Sequence, residues 1–304
     1  MAQSNAQRRR TRQETARSKV EEMRAAQQHT EQRRKLTIIG ITSLVVLAVI
    51  AAIVIGGLGK SDPTAPAATD LPASVVEAAT TVPASTLAEV GLGGTTGLPQ
   101  PVEGRALSAD GKPLVLYIGA EYCPYCAAER WPMVVALSHF GEFSDLGATT
   151  SAADDVFPNT PTFSFSGASY DSDHLAFVGK ELATNKREGD SYGELDTLTA
   201  TEQQEFTTLT GGQQGFPFID FAGRYTISGS QFDPTVLQGK SLTEIADSLS
   251  DPNDPVSQAV NGAANTITAT LCKLTDGQPA DVCDTPLISD LQAQLDSQAP
   301  ANGG

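Results

Sequence analysis

Four consecutive residues bring together the types and spacing that could do chemistry. Cys123, Pro124, Tyr125 and Cys126 form a Cys-x-x-Cys shortly after an apolar run, Pro113 to Ile118, that reads as a buried strand. Two thiols at this spacing can cycle between dithiol and disulfide, form half of a zinc site, or serve as a plain structural staple. A helix starting at the motif would favour the first use, because its unpaired N–H groups and dipole stabilise an anion. The pattern thus predicts a thiolate at Cys123, with Cys126 one turn along to close the ring.

The elements that must hold the pair are legible on both sides. Cys126 to Phe140 carries Trp131, Val134, Val135 and Leu137 at helical spacing and stops at Gly141, with Pro132 kinking the axis from inside. Leu146 to Ser151 reads as a second strand, and Thr160 to Phe165 and Leu175 to Val178 as further β-rich material within a decorated stretch, Ser151 to Lys186. Leu198 to Leu209 opens with Thr199 or Thr201 before Glu202 and Glu205, a capping pattern for a short helix. Gly215 to Ile227 reads as a hairpin whose first strand is opened by Pro217. Ser241 to Leu249 is a helix, and Asp254 followed by Pro255 caps a longer one reaching Cys272.

The run Leu114-Val115-Leu116-Tyr117-Ile118-Gly119-Ala120-Glu121-Tyr122-Cys123 resembles the strand-then-Ala-Glu-aromatic-Cys signature of the thioredoxin superfamily, and the Pro124-Tyr125 pair is similar to that of glutaredoxins. The resemblance covers residues 113–133 and, more weakly, 215–227. It implies an α/β, thioredoxin-like fold with insertions and terminal extensions, catalytic Cys123 and Cys126, and a cis Pro217 that turns Phe216 toward them. Phe216, Pro217, Pro124 and Tyr125 would then bind substrate, with an ordinary trans proline as the plainer alternative at Pro217. Two departures stand out. Pro132 falls six residues after Cys126, one more than the usual spacing, and Tyr117 replaces the buried Asp with which thioredoxins help move the resolving thiol's proton. Tyr117 leaves that task to water or Glu121, which puts general reductase activity in doubt.

The ends of the chain contrast with its middle. Residues 1–36 carry ten Lys and Arg against four Glu, whereas the whole chain has a net charge of −16. Leu36 to Leu58 is a run of 23 uncharged residues, long enough to span a hydrocarbon core and longer than a removable signal, with cleavage near Ala51, Ala52 or Gly56-Gly57 as the lesser alternative. The reading is a single-pass cell-membrane protein with a cytoplasmic N-terminus and an extracytoplasmic C-terminal domain, because the basic flank precedes the span. The expected map is a basic arm (1–35), a transmembrane helix (36–58), a Pro/Ala/Thr linker (59–71), an N-terminal extension of the domain (72–101), the thioredoxin-like domain (102–295) and a flexible tail (296–304). In an extracytoplasmic setting Cys272 and Cys283 read as a structural disulfide, ahead of a relay to the first pair or a zinc site using all four cysteines.

An acidic domain is a poor binder of nucleic acid. No nucleotide fingerprint, phosphate-cradling glycine loop or His-Glu-x-x-His motif is present, so neither cofactor nor metal is expected. His139 and His174 have no catalytic constellation around them; Trp131 reads as core, and Glu121, Glu129 and Arg130 as charges tuning or rimming the motif. The function expected is membrane-anchored thiol–disulfide exchange on the thiols or disulfides of exported proteins, as oxidase or isomerase ahead of reductase, with a membrane redox partner. The resemblance extends to a family of uncharacterised bacterial membrane proteins. A different class stays open: a non-enzymatic binding or envelope-assembly module in which Cys123–Cys126 is a permanent staple.

Overall fold

The computed structural model describes residues 71–213 and 215–298. Prolines open two short helices, α1 (Ala73–Thr80) behind Pro72 and α2 (Ala84–Val90) behind Pro83. The strands β1 (Gln100–Pro101), β2 (Ser108–Ala109) and β3 (Lys112–Gly119) follow, β2 and β3 joined through Asp110 and Gly111, both left-handed. This is the turn chemistry of a tight hairpin. Helix α3 (Pro124–Leu137) leaves the end of β3, and every one of its residues but Tyr125 is buried. A helix enclosed on all sides needs apolar residues around its whole circumference, which explains why it lacks the usual polar stripe.

Four short strands make two ribbons, β4 (Glu142–Ser144) with β7 (Ser169–Asp171) and β5 (Gly147–Thr150) with β6 (Pro161–Ser164). Then β8 (Ala176–Glu181) runs parallel to β3, from Leu114 opposite Ala176 to Gly119 opposite Glu181. The hairpin β9 (Ala183–Glu188) and β10 (Ser191–Glu194) leads to α4 (Ala200–Leu209), which carries the Thr199–Glu202 capping box read from the sequence. Strands β11 (Phe218–Phe221) and β12 (Tyr225–Ser228) come next, then α5 (Leu242–Ser248), α6 (Pro255–Leu274), α7 (Ala280–Cys283) and α8 (Pro286–Ser297).

The central sheet has the order β1-β12-β11-β3, with β8 along the far side of β3 and β2 at its start. Only the β3–β8 pairing is parallel, so the sheet is mixed. Alternation along β3 divides its side chains between two cores: Val115 and Tyr117 join the larger one with α3 and α6, and Leu116 and Ile118 the smaller one with Phe206 and Phe218. Both faces are therefore covered, and the strand reads as a continuous apolar run for that reason.

These observations correct the expected fold class and placement. The protein is mixed α/β with a mixed sheet, and among the described residues no helix is long and apolar enough to cross a membrane. The longest of them, α6, has 20 residues but includes Gln258, Asn261, Asn265 and Lys273. Its amides bond to the protein itself: Asn265 Nδ2 donates to the carbonyls of Leu87 and Gly91, tying α6 to the end of α2. The span expected over Leu36 to Leu58 lies outside the described residues, as do the arm before it and the end of the chain. A transmembrane helix preceding the domain, and with it the single-pass cell-membrane localisation, is not supported.

The α2–α6 contact also yields a stability prediction. Gly262 sits where a Cβ would collide with the Leu92 carbonyl. In an exposed helix Gly→Ala stabilises by about 1 kcal/mol; here we expect Gly262→Ala to cost about 1–3 kcal/mol in urea denaturation. A gain would mean that the Leu92 turn yields freely.

Candidate functional site

Strand β3 ends at Gly119, and the turn through Ala120 to Tyr122 delivers Cys123 to the N-cap of α3 with extended backbone angles, φ −76° and ψ 121°. Its sulfur does what a capping oxygen does elsewhere, accepting the Cys126 N–H at 3.4 Å. Pro124 follows at the first helical position, where its missing N–H has no cost. On the other side Cys123 Sγ lies 3.8 Å from the Phe216 carbonyl, to which its thiol donates. The Phe216–Pro217 bond is cis. Pairing of Phe218 with Ile118 fixes this segment beside the motif, and Phe206 of α4 stacks on Phe216 with ring centroids 6.0 Å apart.

The two cysteines are free thiols in unlike surroundings. Cys123 keeps 7% of its surface and Cys126 none. The hydrogen bond from the Cys126 thiol, helped by that amide and by Arg130, holds the Cys123 thiol below its usual value against the effect of burial. Burial, then the hydrogen bond and charge of Cys123, pushes Cys126 well up. One sulfur is prepared to be an anion and the other to keep its proton.

The decorated stretch walls the site. Glu121 N–H donates to the Ala183 carbonyl and Ala152 N–H to the Tyr122 carbonyl, both at 2.9 Å, so the residues before Cys123 are clamped between inserted segments. Tyr122 stacks on Tyr192 at 4.1 Å, and Arg187 covers the far face of Tyr192 at 4.4 Å. Tyr125, 42% exposed, meets the Phe157 ring edge-on. The sequence brings these inserts to the motif through long-range contacts that no local pattern announces.

Glu129 and Arg130 are not rim charges: both are wholly buried. Arg130 Nε and Nη2 donate to Glu181 at 2.7 and 2.6 Å, and Nη2 also to the Ala120 carbonyl at 2.9 Å. Burial works against the charge of Arg130, but Glu181, together with Tyr117 and Cys126, more than offsets this. The pair escaped sequence reading because Glu181 stands 51 residues away on β8. The available signal was a Glu-Arg dipeptide inside a helix apolar on every side, where a charge must find a partner.

Glu129 faces the other way, its Oε2 accepting the Gln231 N–H at 2.9 Å. Burial raises its carboxyl to about 8 and that of Asp220, on β11, to about 7. A carboxyl with a raised folded value holds a proton the unfolded chain has lost, so its stabilisation is complete below the unfolded value, about 4.5 for Glu, and disappears as pH rises through the folded one. We expect unfolding free energy to fall between about pH 5 and pH 8.5, and Glu129→Gln to flatten that slope in urea titrations. A profile that rises over this interval would contradict the assignment.

The fold thus brings Cys123, Cys126, Phe216 and Pro217 together, buries Pro124 and leaves Tyr125 on the rim. Cys272 and Cys283 are bonded to one another, Cα atoms 5.5 Å apart, tying the end of α6 to α7. A zinc site drawing on all four cysteines is therefore not what this fold assembles. No curated protein and no solved structure matches the chain. A family model described as a domain of unknown function, DUF929, matches residues 100–192, from β1 into β10, and so takes in both cysteines, Arg130 and Glu181 but not Phe216 or Pro217.

Proposed function

We propose that the protein carries out thiol–disulfide exchange through Cys123 and Cys126 on the thiols or disulfides of other proteins. One observation carries the reading: the Cys123 sulfur caps α3 and keeps 7% of its surface, while the Cys126 thiol one turn along is fully enclosed, and these unlike surroundings favour an anion on the first and a proton on the second. The resemblance of residues 113–133 to the thioredoxin signature supports it independently. The Cys123 thiolate attacks one sulfur of a substrate disulfide, whose S–S bond breaks and whose other sulfur leaves with the electron pair. Cys126 then loses its proton and attacks Cys123, releasing the second substrate thiolate. Two electrons pass to the substrate and the Cys123–Cys126 disulfide forms; the reverse sequence oxidises a dithiol. Phe216, with its carbonyl beside the attacking sulfur, offers backbone to an extended substrate segment.

The full chain, equilibrated in glutathione buffers and quenched by alkylation, gives the potential of the pair. A value of about −120 to −180 mV marks an oxidase or isomerase, and one near about −270 mV a reductase. A pair that does not titrate over this range would overturn the reading in favour of a static scaffold.

A further inference from the structure

Beneath the cysteines the fold buries more charge than the exchange cycle above uses. Arg130 lies four residues beyond Cys126 and hence on the same side of α3. Its Nε and Nη2 are satisfied, but Nη1 has no acceptor, and neither does the hydroxyl of Tyr117, whose ring centre is 5.9 Å from the guanidinium carbon. Buried donors without acceptors are costly in a resting protein. Here both belong to the buried residues in and around α3, and Arg130 stands one turn from a group that must change its charge.

That group is Cys126, protonated at rest and anionic while it resolves a mixed disulfide. Around it stand Cys123 and Arg130 from α3, Tyr117 from β3 and Glu181 from β8, all coupled to it electrostatically. The i, i+4 spacing puts Arg130 one turn from Cys126 on α3, and its charge favours a thiolate there.

Resting on the exchange reading, we propose that Arg130 and Tyr117 form a preformed anion site for the Cys126 thiolate in the resolving step, with Glu181 holding Arg130 in position. In that step the Cys126 S–H ionises and its sulfur bonds to Cys123. The bond from Cys123 to the substrate sulfur breaks with its electron pair on the substrate, and the released thiolate takes up a proton. Arg130 and Tyr117 are positioning residues; neither bonds to a reacting sulfur.

The test uses the full chain, reduced, with an aromatic disulfide that releases a coloured thiolate at each of two steps. Tyr117→Phe keeps volume and removes only the hydroxyl. We expect it to slow the second release about tenfold or more, with little change in the first. The pH at which the second release is half-maximal should rise by about one unit. Arg130→Gln should slow the second release at least as much, and Arg130→Lys should recover most of the loss. If Arg130→Gln fails to fold, the near-isosteric Tyr117→Phe decides alone. A second release and pH profile identical to those of the unaltered chain would overturn the proposal and leave the exchange reading standing. No release at all from the unaltered chain would overturn both.

Discussion

Cys123→Ser is expected to abolish exchange, whereas Cys126→Ser should stop it halfway. With an aromatic disulfide in excess, the unaltered dithiol releases two equivalents of coloured thiolate and ends as the Cys123–Cys126 disulfide. Cys126→Ser should release one and hold the other half of the reagent on Cys123, a covalent adduct visible by intact mass. Cys123→Ser should react at least about a thousandfold more slowly, because its remaining thiol is both enclosed and held protonated. The asymmetry is the informative part. Two equivalent cysteines would give matching variants, and that outcome would remove the division of labour on which the reading depends.

The second large effect concerns stability. Glu181→Ala leaves the Arg130 guanidinium without its counter-charge in a site with no water access, and a cost of about 3–5 kcal/mol is expected. Replacing both partners together, Arg130→Met with Glu181→Leu, should recover much of this loss, because it is the unpaired charge rather than the missing pair that destabilises. Urea denaturation of the two variants checks the point through their midpoints at constant slope. A cost below about 1 kcal/mol for Glu181→Ala would be that of an exposed pair and would contradict the burial.

Legibility in the sequence followed the range of the interactions. Strand β3, the start of α3, the capping box of α4, the β11–β12 hairpin and the capped start of α6 are announced by local apolar pattern, propensity and capping signals, and each stands close to where those signals place it. In the segment from Ser151 to Lys186 the β-rich stretches Thr160–Phe165 and Leu175–Val178 fall on β6 and β8, but how they pair does not show in the local pattern. Its strands β6 and β7 pair back onto β5 and β4 as separate ribbons while β8 joins the central sheet, and Ala183 and Ala152 clamp Glu121 and Tyr122, contacts that depend on tertiary packing. Arg130 was misplaced on the rim for the same reason. Two residues of a buried pair drawn from α3 and β8 look, each alone, like ordinary surface charges.

The bond between Cys272 and Cys283 has a consequence for the chain as a whole. Four cysteines allow three pairings, and a chain with a reactive thiolate at Cys123 could in principle interchange them. Exchange needs an approaching sulfur, however, and both sulfurs of the Cys272–Cys283 bond belong to residues enclosed in the core. In the folded molecule the Cys272–Cys283 bond is closed to an attacking thiolate. The internal cross-link is thereby shielded from any disulfide exchange that the motif carries out.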